Sequence, residues 1–208
     1  SKPDQAKAAL SEVEKMASND PKTLVQSAAI SALAKTKDKK YLPLFEKGIN
    51  AVSNSVKGSS LTGISLVDPA KVASLADKID LEGASDDLIS ELLPVIVKNK
   101  IEKQMPAIAS TAAFYPFIKF QNPELGASAE DGFNWIMSSD NLKATENVTK
   151  VLTQVKKQIG ENPQAKMMIL QILKDGLAKK MTVLKANPSS STINQQVDAL
   201  NKAIEAYK

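Results

Sequence analysis

Histidine, cysteine and arginine are all missing from this 208-residue chain, whose 27 basic residues are every one of them Lys. Without His or Cys there is no thiolate nucleophile, no Ser-His-Asp triad, no His-based zinc or iron site and no disulfide framework. Carboxylate, Lys, Tyr and hydroxyl chemistry is what remains. The missing Arg takes away the side chain that best grips phosphate and reads guanine. The formal net charge of +4 is spread among Lys residues interleaved with 23 acids. Lysine groups such as Lys37, Lys39 and Lys40, Lys156 and Lys157, or Lys179 and Lys180 therefore read as solvated helix surface, and no nucleic-acid partner is expected. Long hydrophobic runs are missing too: none approaches the roughly 18 residues that span a bilayer, so a soluble chain with no membrane partner is expected. The opening Ser1-Lys2-Pro3-Asp4 has neither an initiator Met nor a basic-then-apolar leader, which points to an excised or processed piece of a larger protein and to no particular compartment.

What is present is 43% apolar and 24% charged, enough for one substantial core or two small ones. The expected organisation is a single helical domain over 1–208, with possible subregions 1–100 and 101–208. Apolar residues recur at helical spacing almost throughout. Leu42, Phe45, Ile49 and Val52 form one stripe, Leu88, Leu92, Ile96 and Val97 another, and Ile193, Val197, Leu200 and Ile204 mark the last. No segment alternates as an antiparallel strand does over more than a few residues. The chain reads as all-α.

Five of the ten prolines follow Asn or Asp: Asp20-Pro21, Asp68-Pro69, Asn122-Pro123, Asn162-Pro163 and Asn187-Pro188. Asx is a favoured N-cap and Pro a favoured first helical residue, so each pair predicts a helix start. Ser128-Ala129-Glu130-Asp131 and Thr192-Ile193-Asn194-Gln195 suggest further capped starts, while Gly83 and Gly160 sit where helices should stop. The predicted helices are 4–18, 21–36, 39–53, 58–67, 69–80, 86–99, 101–120, 129–138, 141–159, 163–186 and 191–207. Pro94, Pro106 and Pro116 should kink or break theirs. The first four Asx-Pro starts fall 40 to 54 residues apart, close to the two-helix HEAT unit, without sequence identity between the units. An irregular α-α superhelix, a HEAT-like stack of antiparallel helix pairs, is the expected architecture.

Aromatic residues make up only 4% of the chain, and Phe114, Tyr115, Phe117, Phe120, Phe133 and Trp135 lie in one stretch. Two interpretations stand: the main core of the C-terminal half, or an apolar surface that docks another domain or lines a cleft. Gly58-Ser59-Ser60-Leu61-Thr62-Gly63-Ile64-Ser65 has the glycine spacing of a phosphate-binding loop, but Ile64 replaces the essential Lys and no strand precedes it. A connection or weak helix with close-packed glycines is expected there. Asp86-Asp87 and Glu130-Asp131 fall in predicted first turns, where acids complement the helix dipole, and adjacent residues face different sides. Asn147-Val148-Thr149 is a glycosylation triplet inside a predicted helix and reads as chance. No catalytic, cofactor-binding or metal-ligating residue is assigned within the chain.

The segments Asp20-Pro21-Lys22-Thr23-Leu24-Val25-Gln26-Ser27-Ala28-Ala29-Ile30-Ser31-Ala32-Leu33-Ala34 and Lys40-Tyr41-Leu42-Pro43-Leu44-Phe45-Glu46-Lys47-Gly48, followed by irregular paired helices, resemble the C-terminal helical domain of M1-family (gluzincin) zinc aminopeptidases of bacterial type. The resemblance covers most of the chain in style and rests on no diagnostic motif. It implies a non-catalytic scaffold and lid that packs on the parent's own catalytic domain and meets the peptide substrate only indirectly. Zinc, the HExxH ligands and the substrate-anchoring GxMEN-like element would then belong to that preceding domain, with no cofactor in this segment. The alternative is a free-standing HEAT-like protein–protein interaction module.

Overall fold

Side-chain caps and prolines set most helix boundaries in the computed structural model, which describes residues 2–76, 79, 81, 84–160 and 162–207, the side chains of 2–7, 73 and 87 excepted. The described residues form twelve α-helices and two 3₁₀ turns and include no strand; the chain is all-α. It divides into two compact units, Ser1–Ile101 and Glu102–Lys208.

The first unit contains α1 (Lys2–Asn19), α2 (Thr23–Lys35), a 3₁₀ turn at Lys39–Tyr41, α3 (Leu42–Gly48), α4 (Asn54–Val67), α5 (Pro69–Ala76) and α6 (Asp86–Lys98). Helix α4 is its centre and packs against α2, α3, α5 and α6, while α1 lies on α2. Ile30, Leu33, Phe45, Leu61, Ile64, Leu92 and Ile96 fill the space between them. Gly63 lets α3 and α4 approach: a Cβ there would stand 2.9 Å from the Phe45 ring. At the edge, Tyr41 donates from its hydroxyl to Glu14 Oε1 at 2.6 Å, and Lys40 Nζ lies 3.1 Å from the same oxygen. These two contacts join α1 to the 3₁₀ turn, and hydrogen bonding with Tyr41 and Glu14 lifts the Lys40 ammonium to about 12.

The second unit follows a 3₁₀ turn at Glu102–Gln104 with α7 (Met105–Ala113), α8 (Tyr115–Gln121), α9 (Pro123–Ser138), α10 (Leu142–Ile159), α11 (Pro163–Ala186) and α12 (Ser191–Glu205). Helix α9 packs against α7, α8 and α11, and α12 closes over α10 and α11. Its core is Met105, Ile108, Phe133, Ile136, Val148, Leu152, Ile169, Leu173 and Leu200. Tyr207 is buried and donates its hydroxyl to the Leu152 carbonyl, tying the chain end to α10.

Several boundaries differ from expectation for local reasons. The helix predicted over 39–53 stops at Gly48, because Ser53 caps α4 by accepting from Val56 N at 3.5 Å; α4 therefore starts before the predicted 58. The 101–120 helix is interrupted: Pro106 and Pro116 lack an N–H to continue a helix and sit in the first turns of α7 and α8, whereas Pro94 stays inside α6. Helix α9 begins at Pro123 instead of 129, because Asn122 Oδ1 accepts from Leu125 N at 3.1 Å. Ser128 then lies within the helix with its hydroxyl 3.3 Å from the Glu124 carbonyl, and Glu130 and Asp131 are not first-turn acids.

At α12 the cap is Ser190, which accepts from Ile193 N, and Thr192 is already helical. Asn162-Pro163 starts a helix as expected, with Asn162 Oδ1 accepting from Ala165 N at 3.0 Å; Asn187 instead terminates α11. Asp20 accepts from Lys22 N at 2.8 Å in a turn ahead of α2, which begins at Thr23. Gly160, at φ +54°, ends α10; Gly83 lies outside the described residues.

Candidate functional site

Helix α11 carries Ile169, Ile172, Leu173, Gly176 and Lys180 along its buried side. Lys180, expected as solvated surface, is 0% exposed. Gly176 permits the close approach that places it, since a Cβ at 176 would lie 3.0 Å from Met137 Sδ and 3.3 Å from the Phe133 ring. The Lys180 ammonium donates to the Ser139 carbonyl at 2.6 Å and the Ile136 carbonyl at 3.1 Å. These carbonyls belong to the end of α9, where the dipole is negative; Ile136 O also accepts from Ser139 N at 3.2 Å. Burial pulls the ammonium down to about 8, and the nearby Asp140 carboxylate opposes that shift.

The turn that receives Lys180 is held from other sides as well. Asn141 Oδ1 accepts from Ala144 N at 2.9 Å and caps α10, while Asn141 N donates to Ser139 Oγ at 3.2 Å. Gln196, fully buried on α12, donates to the Asp140 carbonyl at 2.8 Å and accepts from Thr145 Oγ1 at 2.9 Å. Three helices thus fix the backbone of residues 138–141. Each buried polar group in this network has its partner, which is the condition under which such networks stiffen a core instead of weakening it.

Beside this turn opens a cavity of about 560 Å³, with Glu102, Trp135, Asp140, Val183, Asn187 and Ser190 on its walls. Neither the Glu102 nor the Asp140 carboxylate makes a salt bridge among the described pairs. Lys180 is not on the wall: its ammonium is engaged with the carbonyls behind Ser139, a poor position for a nucleophile or base. The Ser139 hydroxyl is likewise engaged, 2.8 Å from the Ile136 carbonyl. The arrangement suits binding better than bond breaking. A smaller cavity of about 320 Å³ in the first unit is lined mainly by apolar groups, including Ala17, Ile30, Leu44 and Val56.

The other segments with sequence-level signals are used in packing. Gly58 and Gly63 of the loop-like motif lie within α4, where a Cβ at 58 would meet Glu91 at 2.7 Å. Ser60 of the same segment is buried, and among the described residues its hydroxyl has no hydrogen-bond partner. Asp86 opens α6, Glu130 pairs with Lys119 at 2.7 Å, and the Asp87 side chain lies outside the described set. The Asn147 side chain donates to the Pro106 carbonyl at 2.9 Å, so the glycosylation triplet joins α10 to α7. The aromatic stretch is divided: Phe133 is in the core with Tyr115 5.4 Å from it, centre to centre, whereas Phe120 is 92% exposed.

Among the described residues no three acids converge as a metal site, and no helix is long and apolar enough to cross a membrane. No protein-family model matches the chain, and neither a curated protein nor a solved structure does.

Proposed function

We propose that this chain is a non-catalytic helical scaffold and lid of an M1-type zinc aminopeptidase, packing on that enzyme's catalytic domain and limiting which peptides reach it. The observation that carries this proposal is local. The two segments that resemble the family become α2 and the 3₁₀ turn with α3, and both pack on α4. Successive helices that share one packing partner are compatible with a layer of a helical solenoid, which supports the proposal. The sequence supports the same division of labour, since a chain without His cannot supply an HExxH zinc site. The second candidate, a free-standing interaction module, draws its support from Phe120, exposed on a helix of aromatic and aliphatic residues.

The experiment is enzymological. The isolated, dialysed chain should hydrolyse no aminoacyl anilide and retain no zinc; added to the separately expressed polypeptide encoded immediately upstream, it should bind and narrow the range of peptides cleaved. Stoichiometric zinc in the isolated chain, or an upstream polypeptide whose cleavage pattern ignores it, would overturn the proposal.

A further inference from the structure

We propose that the cavity between Trp135, Glu102 and Asp140 binds a short aliphatic diamine or polyamine. Its volume of about 560 Å³ falls within the range of roughly 300–1,000 Å³ typical of small-molecule sites. The chain has 27 Lys, yet none is among the described lining residues, which include two carboxylates and the chain's single Trp. The cavity also lies at the carboxyl ends of two helices: Ser138 and Ser139 finish and cap α9, and Asn187 caps α11. Such ends carry partial negative charge. Opposing them are the amino ends of α10, beside Asp140, and of α12 at Ser190, and the Lys180 ammonium behind Ser139. With the helix ends two against two, the two carboxylates outweigh the one ammonium, so the cavity favours a cation.

Lys180 supplies an internal precedent. The protein has already placed a primary ammonium against the carbonyls of this turn, at 2.6 and 3.1 Å. The remaining lining fits the rest of an alkylamine. Val183 and Ile193 offer apolar surface to methylenes. Two carboxylates suit two charges on one ligand. None of this depends on the aminopeptidase proposal, because all of these groups belong to the unit from Glu102 to Lys208.

Because Trp135 is the only Trp, its fluorescence reports on this wall alone. The full chain is titrated with 1,6-diaminohexane and, in parallel, with uncharged 1,6-hexanediol; amide NMR shifts at Ser139, Asp140 and Ser190 provide a second readout. Saturable binding of the diamine, weakened several-fold by about 0.2 M salt, is expected, with no saturation by the diol. The Glu102→Gln/Asp140→Asn variant should lose roughly tenfold or more in affinity, while Glu124→Gln, an exposed acid elsewhere on α9, should behave like the parent chain. Equal response to the diol, unchanged affinity in the double variant, or no saturable change in either readout would overturn the proposal.

Discussion

Replacing Lys180 by Met tests the polar centre of the second unit through its pH dependence. The buried ammonium titrates at about 8, against an ordinary value of 10.5. Between those values the unfolded chain holds the proton and the folded chain has released it, so stability rises with pH across the interval. At about 1.4 kcal/mol per pH unit, the separation corresponds to at most about 3 kcal/mol. The two carbonyl hydrogen bonds favour the charged form, which brings the expected change to about 1–3 kcal/mol. Met nearly matches the side chain in length and does not titrate.

Urea unfolding followed by circular dichroism at pH 7, 8, 9 and 10 gives the comparison, and the other lysines cancel in the difference between the two proteins. Parent minus Lys180→Met stability should be lowest at pH 7 and rise towards pH 10 as the cost of the buried charge disappears. A difference that is flat, or that falls with pH, would show that Lys180 keeps an ordinary, solvated ammonium and would refute the packing described for α11 against the end of α9.

Three further substitutions test separate contacts. Gly126→Ala would set a Cβ 2.2 Å from the Lys119 Cα and 2.5 Å from its N, backbone atoms that no rotamer change can move, so a loss of about 1–3 kcal/mol is expected in urea melts. Ser60→Ala removes a buried hydroxyl with no partner among the described residues and should leave stability unchanged or raise it by about 1 kcal/mol; a loss above that size would contradict an unpartnered hydroxyl. Phe133→Ala should cost about 3–5 kcal/mol and Phe120→Ala less than about 0.5, and similar values for the two would contradict their assignment to core and surface.

Much of the helical pattern is legible in the sequence because it depends on neighbours three and four residues apart. Ile193, Val197, Leu200 and Ile204 are spaced as a helical stripe in the sequence and form a buried face in α12. Helix starts are legible where the cap is a local bond, as at Asn162, and less so where two local options compete. Ser128 satisfies the sequence pattern of a cap, but Asn122 with Pro123 starts the helix earlier and leaves Ser128 inside it. Lys180 shows the limit of residue type as a guide to burial. Its spacing from Ile169, Leu173 and Gly176 puts it on the inner face, a signal present in the sequence, while its partners at Ile136 and Ser139 are more than forty residues away. The cavity is illegible for the same reason, since its walls come from residues 102, 135–140 and 183–193.

The most direct measurement of the scaffold proposal is the coding sequence upstream of Ser1. An HExxH motif on a helical pattern with a Glu ligand downstream, in one reading frame with this chain, is the result the proposal predicts. An initiator Met next to Ser1, or an unrelated domain in that frame, would contradict it.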